Sequence, residues 1–178
     1  MPGCSINNPT LTEADLRNLA VAKQYKVTDV MLPFVRNKAD LIILREALRE
    51  YGCEDIRIFA KIENMTGVEH LEELIPYCDY IVIARGDLGN AMPLSQLPRI
   101  QAHIARVCRK HNKDFMIVTQ MLDSMIKNPY PTRAEVNDIY HAVTQGASAL
   151  MLTGETAHGK YPVEAMKMLV DTAEESIL

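Results

Sequence analysis

The chain has 178 residues, of which 48% are hydrophobic and 24% are charged, and this is the composition of one globular domain with a sizeable core. Its net charge of −4 provides no basic surface for nucleic acid, and no apolar run approaches the roughly 20 residues of a membrane span. The N-terminus has no signal pattern and the four cysteines form no C-x-x-C pair, so we expect a cytoplasmic protein with reduced thiols and with no nucleic-acid or membrane partner.

The predicted elements alternate between helices and short apolar strands. Thr12 is predicted to cap a first helix that runs to about Tyr25, because Glu13 and Asp15 follow in its first turn. Apolar, β-branched runs predict strands at 27–34, 56–60, 80–84, 115–118 and 147–152. Helices are predicted at 39–51, 66–75, about 97–112, 134–145 and 162–177, with Gly52 and Gly146 at the ends of two of them.

Repeated β/α units predict a parallel sheet with right-handed crossovers. A closed (β/α)₈ barrel needs about 250 residues, so five units are too few to complete one. We therefore predict a single α/β domain over residues 1–178 with about five strands and flanking helices. It is either an open sheet or a partial TIM barrel that another chain completes.

Two of the predicted strands end in charged residues. The strand at 56–60 continues into KIEN at 61–64, and the strand at 80–84 continues into RGDLG at 85–89. Because the carboxyl ends of parallel strands meet on one face, we expect Glu63 and Asp87 to converge there. Two carboxylates beside a lysine and an arginine suit a hard divalent cation that holds an anionic substrate, although structural surface carboxylates would give the same pattern.

Five short motifs resemble successive motifs of the pyruvate kinase family. They are KIEN (61–64), ARGDLG (84–89), TQML (119–122), PTRAE (131–135) and GETA (154–157). They occur in the family's order, and the similarity covers nearly the whole chain. The resemblance implies the second part of a catalytic barrel, without the first three strands, the lid domain or the C-terminal domain. In this family, phosphoenolpyruvate gives its phosphoryl group to ADP, and the enolate left behind is protonated to pyruvate.

The resemblance also implies a metal site. Glu63 and Asp87 would bind Mg²⁺ (or Mn²⁺), and Lys61, two residues before Glu63 on the same face, would neutralise charge on the phosphoryl group or the enolate oxygen. Arg85 would form an ion pair that orients Glu63. The family also requires K⁺, but the residues that match its ligands are not in this chain. Without the resemblance, a solvated lysine is the more ordinary interpretation of Lys61.

Further residues match the substrate-binding part of the family's site. Gly86 and Asp87 would offer backbone N–H groups to the substrate carboxylate, and Thr119 would lie at the enolate face, where it is linked to protonation. Thr153 and Glu155 resemble a hydroxyl and carboxylate pair in a proton-relay region. The ordinary alternatives are a glycine turn, a strand threonine and helix capping, respectively.

Three functional hypotheses follow from these residues. The chain is a kinase segment that works with the rest of its barrel, a nucleotide-independent enzyme that enolises or decarboxylates a 2-oxo acid, or a non-catalytic module that binds phosphoenolpyruvate or pyruvate. Five β/α units leave two sheet edges and apolar helix faces exposed. We therefore expect a homo-oligomer, or a partner that supplies the missing half of the barrel.

Overall fold

The computed structural model describes residues 9–177. Within them lies one parallel sheet of five strands: β1 (Asp29–Leu32), β2 (Arg57–Ile62), β3 (Tyr80–Ala84), β4 (Phe115–Val118) and β5 (Ala149–Met151). Each strand pairs with the next one in the chain, in the order β1-β2-β3-β4-β5. This is the order of a β/α barrel wall, whereas the order of a doubly wound sheet reverses at a switch point. The prediction of parallel β/α units from a partial TIM barrel is confirmed.

Helices connect the strands. They are α1 (Glu13–Ala22), α2 (Lys38–Glu50), α3 (Met65–Glu69), α4 (Leu71–Leu74), α5 (Arg85–Asn90), α6 (Leu97–Lys110), α7 (Arg133–Thr144), α8 (Gly154–Ala157) and α9 (Pro162–Glu175). Short 3₁₀ turns lie at Ile75–Tyr77, Leu94–Gln96 and Asp123–Ile126. None of the helices within residues 9–177 is long and apolar enough to cross a membrane.

Several element ends differ from the predicted ones by up to three residues, and three of the differences lie beside the ends of strands. β1 ends at Leu32, because Pro33 has no N–H to donate and Phe34 has a positive φ of 51°. The helix predicted from residue 66 begins at Met65 and breaks at His70, so that it forms α3 and α4. The short helices α5 and α8, which begin at the ends of β3 and β5, are not in the prediction.

Helix termini follow the sequence signals closely. Thr12 caps α1 as predicted: its hydroxyl accepts from the N–H of Asp15 at 3.2 Å, and the Asp15 carboxylate accepts from the N–H of Thr12 at 2.8 Å. Gly52 and Gly146 have φ values of 66° and 93° just after α2 and α7, the left-handed conformation that a helix end requires.

The sheet has two apolar faces. One face packs under the helices, and its strand residues include Ile58, Ile83 and Ile117. The opposite face carries a separate cluster of strand residues centred on Phe59, Val82, Ala84 and Val118. This alternation follows the period of two along each strand, and the second cluster lies on the inner side of the barrel wall. The rings of Phe59 and Tyr80 stack there with their centroids 4.6 Å apart.

The cysteines within residues 9–177 are free and buried, at positions 53, 78 and 108. Burial raises the pKa of Cys78 to about 11 and the pKa of Cys108 to about 12, so both thiols stay protonated at neutral pH. Cys4 lies outside the described residues.

Candidate active site

The end of β2 holds a buried ion pair. The Lys61 ammonium lies 2.7 Å from Oε1 of Glu63, and the backbone N–H of Phe34 donates to Oε2 at 2.8 Å. Glu63 is 3% exposed. The spacing of two residues therefore brings Lys61 and Glu63 together, as the sequence indicates. The carboxylate is held in place from both sides because each of its oxygens has a partner.

The segment after Glu63 is also fixed. Asn64 caps α3 by accepting from the N–H of Gly67 at 2.8 Å, while its amide donates to the carbonyl of Val35 at 3.2 Å. Gly67 is required here, because a Cβ at that position would lie 2.5 Å from the same carbonyl oxygen. The loop after β1 and the loop after β2 are thereby joined next to Glu63.

Asp87, the second carboxylate, lies in the first turn of α5 and is exposed. Ala84 is the N-cap residue, and within residues 9–177 no side chain caps this helix, so the first-turn N–H groups of Gly86 and Asp87 are not bound by a capping side chain. No group of three or more His, Cys, Asp or Glu residues in the described part of the chain could hold a metal ion. Mg²⁺ does not need a group of that size, because it is usually bound through one or two carboxylates plus substrate and water.

Thr119 follows β4 directly and lies against Gly86. A Cβ built on Gly86 would be 3.1 Å from Cγ2 and 3.6 Å from Oγ1 of Thr119. Thr119 has a φ of 79° and Gln120 a φ of 54°. A positive φ is a genuine outlier for a β-branched residue, so the backbone of Thr119 is strained. The structure thus brings Thr119 and Gly86 together at the ends of neighbouring strands.

The expectation that Arg85 orients Glu63 is wrong. The Nη1 of Arg85 donates to both carboxylate oxygens of Asp138, at 2.9 and 2.7 Å, and its Nη2 donates to the carbonyl of Thr119 at 2.7 Å. The Arg85 side chain thus extends toward the turn after β4 and toward α7. Asp138 was missed because its partner is 53 positions away and no local pattern marks the pair.

Glu155 joins the ends of β4 and β5. It is 1% exposed, and its two oxygens accept from the backbone N–H groups of Leu122 at 3.0 Å and Thr153 at 2.8 Å. The hydroxyl of Thr153 lies 3.4 Å from the same carboxylate. The two residues of the expected proton relay are therefore adjacent. The contacts of Glu155 are those of a structural tie between two loops, and its part in a relay stays a prediction.

Sequence reasoning assigned no role to Glu135, although it lies in the PTRAE motif. Its carboxylate accepts from the N–H and the hydroxyl of Ser124, at 2.7 and 2.6 Å, and from the N–H of Thr132 at 2.7 Å. Burial raises the pKa of Glu135, but the donors of Ser124 and Thr132 outweigh burial and hold that pKa below its ordinary value. Glu135 thus anchors the turn that follows the Thr119 loop.

Comparison with known proteins identifies the family. Residues 1–166 match the sequence profile of the pyruvate kinase barrel domain. The chain belongs to the pyruvate kinase family. It is 41% identical to a pyruvate kinase of Clostridium acetobutylicum over 99% of this chain and 37% of that protein. It is 40% identical to pyruvate kinases of Bacillus licheniformis, over 99% of this chain and 30% of the relative, and of Kluyveromyces lactis, over 97% and 34%.

The comparisons confirm the resemblance read from the five motifs. The chain spans about a third of the length of these pyruvate kinases, as the coverage of 37% of the Clostridium protein illustrates. The barrel portion that it represents contains the strand ends carrying Lys61, Glu63, Gly86, Asp87 and Thr119.

Proposed function

We propose that this chain provides the metal- and carboxylate-binding part of a pyruvate kinase site. The reaction is Mg²⁺-dependent phosphoryl transfer between phosphoenolpyruvate and ADP, which gives pyruvate and ATP, the phosphotransferase step of glycolysis. The observation that carries this proposal is a buried carboxylate–lysine pair at the end of β2 and a strained threonine at the end of β4, which lies beside Gly86 at the end of the strand between them. Active sites of β/α barrels form at this end of the strands.

Glu63 and Asp87 are the proposed ligands of Mg²⁺ or Mn²⁺. Both supply hard oxygen donors, and Glu63 is held rigidly by Lys61 and Phe34 while Asp87 is exposed and accessible. When bound, the metal acts as a Lewis acid toward the enolate oxygen. The requirement of this family for K⁺ would be met by residues outside this chain.

Lys61 compensates the negative charge of Glu63 in the free protein. The Lys61 side chain is 24% exposed, so Lys61 can also approach an incoming anion. We propose that it stabilises charge on the transferring phosphoryl group or on the enolate oxygen, as a preorganised cation at that place would.

Thr119, Gly86 and Asp87 are the proposed contacts of the substrate carboxylate. The N–H groups in the first turn of α5 have no intrahelical acceptor, and the side chain of Thr119 lies directly beside Gly86. The Thr119 hydroxyl and these N–H groups could therefore donate to the same carboxylate. Thr153 and Glu155, at the end of β5, are the proposed relay that delivers a proton to the enolate.

A second candidate function is one that needs no nucleotide. The proposed ligands serve a divalent cation and a carboxylate, and none of them serves a nucleotide. Metal-assisted enolisation or decarboxylation of a 2-oxo acid would need only a bound cation and a bound carboxylate. A non-catalytic module would need these residues only to bind pyruvate. In the kinase function, the longer pyruvate kinase chain, a second copy or a partner supplies the remaining half of the barrel.

Mn²⁺ binding followed by calorimetry tests the metal site without requiring turnover. We expect Glu63→Gln and Asp87→Asn each to lower Mn²⁺ affinity at least about tenfold, because each removes one of two charged ligands. Asp55→Asn is the matched control, since Asp55 is an exposed aspartate that precedes β2 at the opposite end of that strand. Unchanged Mn²⁺ affinity in both ligand variants would refute the assignment.

Turnover of phosphoenolpyruvate with ADP, Mg²⁺ and K⁺ then separates the candidates. Turnover that is abolished by Glu63→Gln supports the kinase function with a completed barrel. Exchange of the methyl protons of pyruvate with solvent, without turnover of ADP, would support the enolisation function instead. Mn²⁺ and pyruvate binding with neither reaction would indicate a binding module.

A further inference from the structure

The turn after β4 is held in a conformation that its own residues disfavour. Thr119 and Gln120 are consecutive residues with positive φ, and Thr119 is β-branched. Such a conformation persists only when the surrounding structure determines it. The side chain of Arg85, which comes from the neighbouring strand end, hydrogen-bonds to this turn.

The guanidinium of Arg85 binds this turn at several points. Its Nε and Nη2 donate to the carbonyl of Thr119 at 3.2 and 2.7 Å, and Nη2 also lies 3.0 Å from Sδ of Met121 and 3.4 Å from the carbonyl of Gln120. The side chain is largely buried, at 11% exposure. Its donors therefore all face protein atoms, and Arg85 is poorly placed to bind substrate with its side chain.

Asp138 fixes the other side of the guanidinium. Both of its carboxylate oxygens accept from Nη1 of Arg85, at 2.9 and 2.7 Å, and Asp138 lies on α7. The pair thus connects α7, the start of α5 and the turn after β4. A planar guanidinium bound on two sides has little freedom to move, so the Thr119 carbonyl has a fixed donor.

We propose that Arg85 and Asp138 are positioning residues for Thr119. Arg85 binds the Thr119 carbonyl and Asp138 fixes Arg85, so the pair holds the Thr119 backbone at positive φ and places its side chain against Gly86, where the substrate carboxylate would bind. This inference rests on the proposed function for its ligand, but the conformational part stands on the hydrogen bonds alone.

Two measurements on Asp138→Asn and Arg85→Lys test the proposal. The first is pyruvate affinity in the Mn²⁺-loaded protein by calorimetry, which we expect to fall about tenfold while Mn²⁺ affinity stays within about twofold. The second is the nuclear Overhauser effect between the amide and α protons of Thr119. It is strong at positive φ, and we expect it to weaken in both variants.

Asp79→Asn is the matched control. Asp79 forms an ion pair with Arg45 at 3.0 Å, and it precedes β3, at the opposite end of the sheet from the proposed site. Removing it disturbs a comparable pair, and we expect neither pyruvate affinity nor the Thr119 signal to change. Arg85→Lys retains the positive charge, so it remains informative if Asp138→Asn does not fold.

The outcomes separate this inference from the proposed function. Unchanged pyruvate affinity in both variants would refute the positioning role, and a strong Thr119 signal that persists in both would refute the conformational one. Failure of the unaltered protein to bind Mn²⁺ or pyruvate would refute the proposed function and the positioning role with it. The Thr119 signal would still decide whether the pair holds the turn.

Discussion

Each buried charged side chain of this protein holds particular loops in place. Asp40, Glu63 and Glu155 are all nearly inaccessible, and within residues 9–177 no buried side-chain nitrogen or oxygen lacks a hydrogen-bond partner. Each of these carboxylates joins segments that are distant in sequence or follow different strands. An unpaired charge at such a depth would be costly, so complete pairing is a condition for the fold.

The contribution of the buried Asp40 charge to the free energy of unfolding can be measured through its dependence on pH. Burial raises the pKa of Asp40, but donors from Arg36 and Thr10 outweigh burial and hold that pKa below its ordinary value of 3.8. The stabilisation is therefore fully present above that ordinary value and is lost as the pH falls through the lower folded pKa. We expect Asp40→Asn to lower the free energy of unfolding by about 3 kcal/mol near neutral pH, and by progressively less in acid.

Urea denaturation across a pH series checks this expectation. Asp171→Asn is the control, because Asp171 is exposed on α9 and its loss should change the free energy of unfolding by less than about 0.5 kcal/mol. A difference between the parent protein and Asp40→Asn that stayed constant down to about pH 2 would show that the Asp40 charge is not the source of the stability.

The sequence predicts local pairs between residues but not distant ones. Lys61 and Glu63 meet because strand side chains repeat with a period of two, which can be read directly from the chain. The pairing of Arg85 with Asp138 depends on where the fold places α7 relative to the start of α5, and no spacing in the sequence encodes that. The same holds for Glu155, whose two backbone donors lie on different loops.

At the scale of elements, strands and long helices were more predictable than short helices. β3 and β4 have the predicted bounds, Tyr80–Ala84 and Phe115–Val118, because compact β-branched runs are bounded by polar residues. α5 and α8 contain six and four residues, too few to establish a helical period. Both helices form where the chain turns after a strand, so the end of the strand determines where they lie.

Two helices begin with a capping box, and the stability that each cap contributes can be compared. Thr12 with Asp15 caps α1, and Thr132 with Glu135 caps α7. Only Glu135 also binds the N–H and hydroxyl of Ser124, so the second box anchors a loop beside the site as well as a helix. We expect Thr132→Ala to cost about 1–2 kcal/mol of unfolding free energy and Thr12→Ala about 0.5–1 kcal/mol.

Thermal or urea unfolding of both variants measures the difference. If Thr132→Ala and Thr12→Ala lower the free energy of unfolding by the same amount, the hydrogen bonds between Glu135 and Ser124 do not depend on the helix cap. In that case Glu135 does not couple α7 to the Thr119 loop.

At the scale of the whole molecule, the sheet is an arc of a barrel wall with two free edges. β1 and β5 each have a single strand neighbour within the described residues. The inner face is a small cluster of strand residues, and Met31 on β1 remains 39% exposed there. The number of units in the sequence predicted that the barrel is partial. It could not predict which apolar surfaces remain uncovered, because that depends on how the helices pack.

One of these surfaces lies along α9. Val163, Met166 and Val170 are 75%, 45% and 44% exposed, while Ala165 and Leu169 on another face of the helix are buried. Positions three and four residues apart share one helical face, so the exposed residues form a continuous apolar stripe. Together with two unpaired strand edges, such a surface favours association.

We therefore expect the 178-residue chain to self-associate, with α9 in the contact. Light scattering at micromolar concentration should give a mass above that of one chain, and the double substitution Met166→Lys and Val170→Lys should lower it toward the monomer, because it places two charges on the stripe. Asn137→Lys with Thr144→Lys, at exposed polar positions of α7, adds the same charge away from the stripe and should leave the mass unchanged.

A monodisperse monomer of the parent protein would contradict the expectation. Association that survives the α9 substitution would instead assign the contact to the strand edges or the inner face.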